Sequence, residues 1–202
     1  MDLTDAELAR WDAWSPSELA RRLAGVDARW YVIAGWALDL FLGRATREHE
    51  DLEIGISADD FGVIRETLAE FELLVVGQGH AVPLTEQTLA AHRQTWVREP
   101  ATGAWRLDVI REPWDGDTWI YERDPRITRT APELVAKTAD GIPYMQPEVV
   151  LLFKSNATRR KDEDDFAAVL PRLDEPRRSW LVDALELARP GHTWIEALRT
   201  SR

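Results

Sequence analysis

Two carboxylates stand two residues apart in the stretch HEDLEIGI, at Asp51 and Glu53, interleaved with Leu52, Ile54 and Ile56. On an extended strand, residues i and i+2 share a face, roughly 7 Å apart. The apolar residues then line the opposite face, and Gly55 continues the acidic side with no side chain, leaving space. Two hard oxygen donors so spaced suit Mg²⁺, which takes one or two protein carboxylates and completes its octahedron with water and substrate phosphates. Asp108, in WRLDVI, is a third carboxylate set among apolar residues. A charge in such a run is costly unless paired or metal-bound. If its strand lies beside 51–56, three carboxylates converge. Such a triad can grip two metal ions for in-line phosphoryl or nucleotidyl displacement. Taken alone, the alternation equally describes an ordinary strand with one wet face.

These carboxylates need elements to carry them. Thr4 with Glu7 and Ser15 with Glu18 have capping-box spacing, so two short helices open the chain, the second with Pro16 at its first position and Gly25 at its end. WYVIAG reads as a buried strand over 30–34, and WALDLFLG as a short helix ending at Gly43. After DLEIGI, Ser57 caps a helix through SADDFGVIRETLAEF. ELLVVGQG, QTWVRE (94–99), WRLDVIRE (105–112) and TWIYERD (118–124) are strands separated by turn-forming residues. Beyond DPRITR the pattern becomes helical, from Pro147 through the apolar run ending at Lys154 and onward to the last residues. The layout is α+β: a core over 1–127 with N-terminal helices and a mixed β-sheet flanked by helices, and a C-terminal helical lobe over 128–202.

Bulk composition narrows the chemistry. The chain has 202 residues, enough for one compact domain or two small lobes, and no cysteine. Disulfides, thiolate zinc sites and cysteine nucleophiles are excluded, and a cytoplasmic location fits. The N-terminal MDLTDAELARWDAW lacks the apolar stretch of a signal peptide, and no apolar run approaches a membrane span. The net charge of −11 disfavours nucleic-acid partners, which need clustered Lys and Arg. The same field would attract a cationic small molecule. Glu112, Asp115 and Asp117, around the turn PWDGD, are candidates for an acidic rim facing such a molecule. Most of the ten tryptophans should be core or lobe-interface residues.

Four segments together resemble the nucleotidyltransferase superfamily of the DNA polymerase β type. Its members place a strand, a glycine turn and a short helix before a strand reading Asp-apolar-[Asp/Glu]-apolar, as Ala34-Gly35-Trp36 and Asp51-Leu52-Glu53-Ile54 do here. The aminoglycoside 2″-adenylyltransferase-like group is closer still. Its Gly-Trp-Ala turn and Gly-Arg-x-Thr-Arg-x-His-x-Asp string are matched by Gly35-Trp36-Ala37, Gly43-Arg44, Thr46-Arg47, His49 and Asp51. Farther on, Lys154 after an apolar helix, then Arg160-Lys161-Asp162 and Asp165-Phe166, resemble the abortive-infection and toxin-type members. Two departures stand out: Glu53 where Asp is more usual, and Ala34 where Gly is.

The resemblance implies the nucleotidyltransferase fold and a Mg²⁺-dependent enzyme using a nucleoside triphosphate, ATP above others. Asp51, Glu53 and Asp108 would be its metal ligands, with Asp108 on a second metal or serving as the base. Gly35, Trp36, Arg44, Arg47, His49, Lys154 and Lys161 would surround the nucleotide. For Arg44 and Arg47 the alternative is a salt bridge to Glu48 or Glu50, for His49 a structural hydrogen bond, and for Lys154 a helix-end lysine favoured by the dipole. Asp162 and Asp165 either assist as base or ligands, or form a solvated acidic face. The acceptor implied is a hydroxyl of a small molecule such as an aminoglycoside-like antibiotic. A toxin-type enzyme modifying tRNA or protein, and a non-catalytic nucleotide-binding relative, are the alternatives.

Overall fold

The computed structural model describes residues 1–157 and 159–200. Thr158, which falls within the expected C-terminal helical stretch, lies outside the described residues, as do Ser201 and Arg202. Helices α1 (Asp5–Leu8) and α2 (Pro16–Arg22) open the chain. Ser15 and Glu18 close a full capping box on α2, with Pro16 at the start. There follow β1 (Trp30–Val32), α3 (Ala34–Leu42), β2 (Glu53–Ser57) and α4 (Phe61–Thr67). Next come β3 (Glu72–Gly77), β4 (His80–Pro83), α5 (Glu86–Ala91), β5 (Gln94–Arg98) and β6 (Trp105–Glu112). The remainder is β7 (Trp114–Asp115), β8 (Thr118–Ile120), β9 (Thr128–Thr130), α6 (Ala131–Leu134), β10 (Val135–Lys137), β11 (Pro143–Met145), α7 (Pro147–Lys154), α8 (Arg160–Val169), α9 (Glu175–Ala188) and α10 (Trp194–Thr200).

Two compact units emerge: residues 1–32 with 49–113, and residues 33–48 with 114–202. This division differs from the expected 1–127 and 128–202, because the segment carrying α3 groups with the C-terminal elements.

In the first unit the strands run β1-β2-β6-β5-β3-β4. β2 and β6 are parallel, and the other neighbours antiparallel. Leu52, Ile54, Ile56, Leu107 and Val109 are wholly buried, as the alternation requires. Trp96 and Trp105 meet edge to face with centroids 5.1 Å apart, and Trp11 packs edge-on to Trp96. Five of the ten tryptophans, Trp14, Trp96, Trp105, Trp119 and Trp194, are buried, and the other five are half-buried. Three local readings are corrected. β2 begins at Glu53, so Asp51 lies just before the strand. Ser57 ends β2 instead of capping a helix, and α4 starts at Phe61 without a side-chain cap. The Asp60 carboxylate instead accepts from the Arg29 N–H. The hairpin β3–β4 and helix α5 were not expected; Gln78 and Gly79, both at positive φ, make the tight turn.

In the second unit α3, α7, α8 and α9 pack together, with a β10–β11 hairpin and a three-stranded sheet β7-β8-β9. The expectation of helices alone beyond residue 127 is therefore corrected: β9, β10 and β11 intervene before α7. They are three residues each, too short for alternation to register. Gly43 closes α3 at φ +68°, the left-handed C-cap expected of it. A buried ion group ties α7 to α9. Glu148, wholly enclosed, meets Arg129 at 2.8 Å and Arg177 at 3.5 Å, and Arg129 lies 4.0 Å above the Trp180 ring. Among the described residues no helix is long and apolar enough to cross a membrane.

Candidate functional site

The acidic face belongs to the first unit. Glu53 stands in register with Asp108 across the parallel pair β2–β6. The Asp108 N–H donates to the Leu52 carbonyl at 2.8 Å, which carries the pairing back to the edge of Asp51. Asp108 is only 3% exposed. Its Oδ2 accepts from the Gln94 amide, and its Oδ1 is buried with no hydrogen-bond partner. Burial pushes the Asp108 carboxyl well above the ordinary range, the Glu53 charge adds to this, and Asp51 adds less. Among the described residues, no group of three or more His, Cys, Asp or Glu side chains is arranged to hold a metal ion. The donors nonetheless fit a hard divalent ion. They are carboxylates only, mutually repelling, with one orphaned buried oxygen that a cation would satisfy.

Two residues on this face escaped the sequence reading. Gln94 pairs with Ile110, two residues from Asp108, and so shares its side of the sheet. Tyr31 pairs with Gly55, and its ring fills the place where a Gly55 side chain would be: a Cβ there would lie 2.5 Å from Tyr31 Cε2. The space expected at Gly55 is therefore corrected; the wholly buried tyrosine occupies it. Cross-strand register alone reveals both residues, and one sequence does not supply it. Glu112, expected on an acidic rim, is buried, whereas Asp115 and Asp117 are exposed. His49 is half-buried at the entry to this unit.

The remaining candidates belong to the second unit. Gly35 is buried and Trp36 half-buried in the first turn of α3, after Ala34 at φ +55°. An alanine in the left-handed region is strained, and such strain collects at functional turns. Arg44 is exposed. Arg47 pairs neither of the expected glutamate side chains. Its Nε meets Asp165 Oδ1 at 3.4 Å, and an Nη donates to the Glu48 carbonyl at 3.1 Å. Lys154 ends α7, as its helix-end reading required, yet its ammonium is drawn to α8, 2.7 Å from Asp165 and 3.3 Å from Asp162. Both aspartates are buried, so the solvated acidic face is ruled out for them. Burial alone would raise Asp162, but hydrogen bonds from Arg159 and the Lys154 charge hold it below the usual carboxylate range. Lys161 is exposed on the same helix. Thr46, between Arg44 and Arg47, is clamped by Asp39, whose Oδ1 accepts from its N–H at 3.1 Å and its hydroxyl at 2.5 Å.

Comparison with known proteins gives a consistent picture. The model of the aminoglycoside-2″-adenylyltransferase family matches residues 17–99. No curated protein sequence matches the chain significantly. Among solved structures, the lincosamide antibiotic adenylyltransferase LnuA with lincomycin bound is similar at 16% identity and TM-score 0.53, over 84% of this chain and 98% of that one. ANT(2″)-Ia in complex with adenylyl-2″-tobramycin is similar at 13% identity and TM-score 0.57, over 85% and 97%. An antigenic nucleotidyltransferase-like protein from Paracoccidioides brasiliensis is similar at 18% identity and TM-score 0.51, over 100% and 96%. At these identities the shared feature is the fold, and the mixed sheet flanked by helices is common to all.

Proposed function

Starting from the nucleotidyltransferase fold that this chain carries, we propose that it moves a nucleoside monophosphate, AMP from ATP in the first instance, onto a hydroxyl of a small molecule. The acceptor class is an antibiotic of aminoglycoside or lincosamide type. The observation that carries this reading is the in-register pair Glu53–Asp108 with Asp51 beside it, a buried carboxylate flanked by two half-buried ones, which folding alone does not call for. The family match over 17–99 and the names of the similar structures support the acceptor class.

Asp51 and Glu53 would hold Mg²⁺, whose charge, once bound, offsets that developing on the α-phosphate and leaving pyrophosphate. The protein's own part is orientation and proton handling. Gln94 fixes the Asp108 carboxylate through Oδ2. Asp108 would complete the Asp51–Glu53 set on a second metal, or else stand free of it and take the acceptor hydroxyl proton through the oxygen that Gln94 leaves open. Arg47 and Lys154 are assigned to the triphosphate, together with Gly35, Trp36, Arg44, His49 and Lys161. Positioning and electrostatics carry most of such a reaction.

The test is incubation with Mg²⁺, each α-labelled triphosphate, and a panel of aminoglycosides, lincosamides and tRNA. Label on a small acceptor is expected. Label on tRNA or protein instead would replace this reading with the toxin-type one, and no transfer to any acceptor would contradict it.

A further inference from the structure

We propose that Asp165 is a positioning residue for the triphosphate: its single carboxylate holds Arg47 through one oxygen and Lys154 through the other, and so fixes how two cations meet a polyphosphate. This rests on the proposed function and adds to it a residue that contacts no substrate.

The two cations are remote in sequence. Arg47 lies 118 residues before Asp165, in the segment after α3, and Lys154 ends α7. The contacts are a hydrogen-bonded ion pair of 3.4 Å from Arg47 Nε to Oδ1 and an ion pair of 2.7 Å, without hydrogen-bond alignment, from Lys154 Nζ to Oδ2. Asp165 is 5% exposed, so its charge requires partners. Folding accounts for its neighbour more readily. Asp162 closes the α8 capping box with Arg159 and already lies 3.3 Å from Lys154. Asp165 caps nothing, and both of its ion pairs go to the two cations assigned to phosphate. The backbone beside Arg47 is held independently, by Asp39 on Thr46. Arg47 is thus held at its guanidinium by Asp165 and the Glu48 carbonyl, next to a backbone fixed at Thr46. Three cations (Arg47, Lys154 and Arg159) face two carboxylates, Asp162 and Asp165, and the surplus positive charge favours an anion. A guanidinium and an ammonium held at fixed separation lower the ordering cost of binding a flexible polyphosphate.

The experiment is calorimetry on the full chain with Mg²⁺ and non-transferable α,β-methylene analogues of ATP, GTP, CTP and UTP, beside the corresponding monophosphates. Asp165→Asn is expected to weaken triphosphate binding roughly 10- to 100-fold, with monophosphate affinity unchanged and partial recovery in Asp165→Glu. Unaltered triphosphate affinity in Asp165→Asn, even with a lowered melting temperature, would overturn the inference and leave Asp165 a structural ion partner. Should Asp165→Asn not fold, Arg47→Gln, Lys154→Met and their double variant decide the matter. Losses that are less than additive support coupling through the shared carboxylate, and additive losses overturn it. A wild-type chain that binds none of the four triphosphates overturns the proposed function itself, an outcome separate from normal wild-type binding with an unaffected Asp165→Asn.

Discussion

Glu53 and Asp108 face each other in register across adjacent parallel strands, and Asp108 is almost wholly enclosed. Like charges so placed oppose folding, and the cost is relieved by a proton or by a cation.

Asp108→Asn should stabilise the metal-free protein while abolishing transfer. Asp108 is raised in the folded chain, so its contribution to stability is fully present below the unfolded value near 3.8 and is lost as pH rises through the folded value. Each tenfold change in proton affinity is about 1.4 kcal/mol, or about 3–5 °C at this length. Thermal melts from pH 5 to 8 should show the wild type losing stability relative to the variant as pH rises. Added Mg²⁺ should raise the wild-type melting temperature by more than the variant's, which keeps only Asp51 and Glu53 as ligands. A variant less stable than wild type at pH 8 would count against the buried like-charge pair.

Gly55→Ala should destabilise by about 1–3 kcal/mol, because the new methyl meets a buried tyrosine ring. Urea denaturation measures it. Shrinking the ring with Tyr31→Leu in the same chain should recover part of the loss, and no recovery would mean the clash lies elsewhere.

Legibility in the sequence followed the range of each interaction. The period-two run placed Leu52, Ile54 and Ile56 on the buried face, and Pro147 and Lys154 marked the ends of α7, because those signals are local. Asp108 was recognised as a charge out of place, and the neighbouring strand it required is β2. What depends on register was hidden: Gln94 on Asp108, Tyr31 over Gly55, and Arg47 reaching Asp165 in place of Glu48 or Glu50. Ser57 carried a true cap signature, but strand pairing with Glu112 claimed it first. For Asp162 and Asp165 in KDEDD the sequence left a site role and a solvated face equally open, because their partner Lys154 lies on another element.

Ala34→Gly should raise stability. The alanine sits at φ +55°, where an L side chain costs about 1–2 kcal/mol. Glycine relieves this and returns roughly half in chain entropy. A gain of about 1–3 °C by calorimetry is expected; a loss would mean that the alanine methyl makes a contact worth more than the strain.

Glu148→Ala should cost about 3 kcal/mol, since it leaves Arg129 and Arg177 without their shared buried partner. Chemical denaturation reads the loss directly. A cost under about 1 kcal/mol would show that the cation–π contact of Arg129 on Trp180 suffices.

The most direct measurement is transfer of label from α-labelled triphosphate to the best small acceptor, with Mg²⁺, in the wild type, Asp51→Asn, Glu53→Gln and Glu53→Asp. The account predicts loss of at least about a thousandfold in Asp51→Asn and Glu53→Gln, with substantial activity kept in Glu53→Asp, which preserves the carboxylate. Transfer that survives Asp51→Asn or Glu53→Gln at near wild-type rate would contradict a reaction centre on this acidic face.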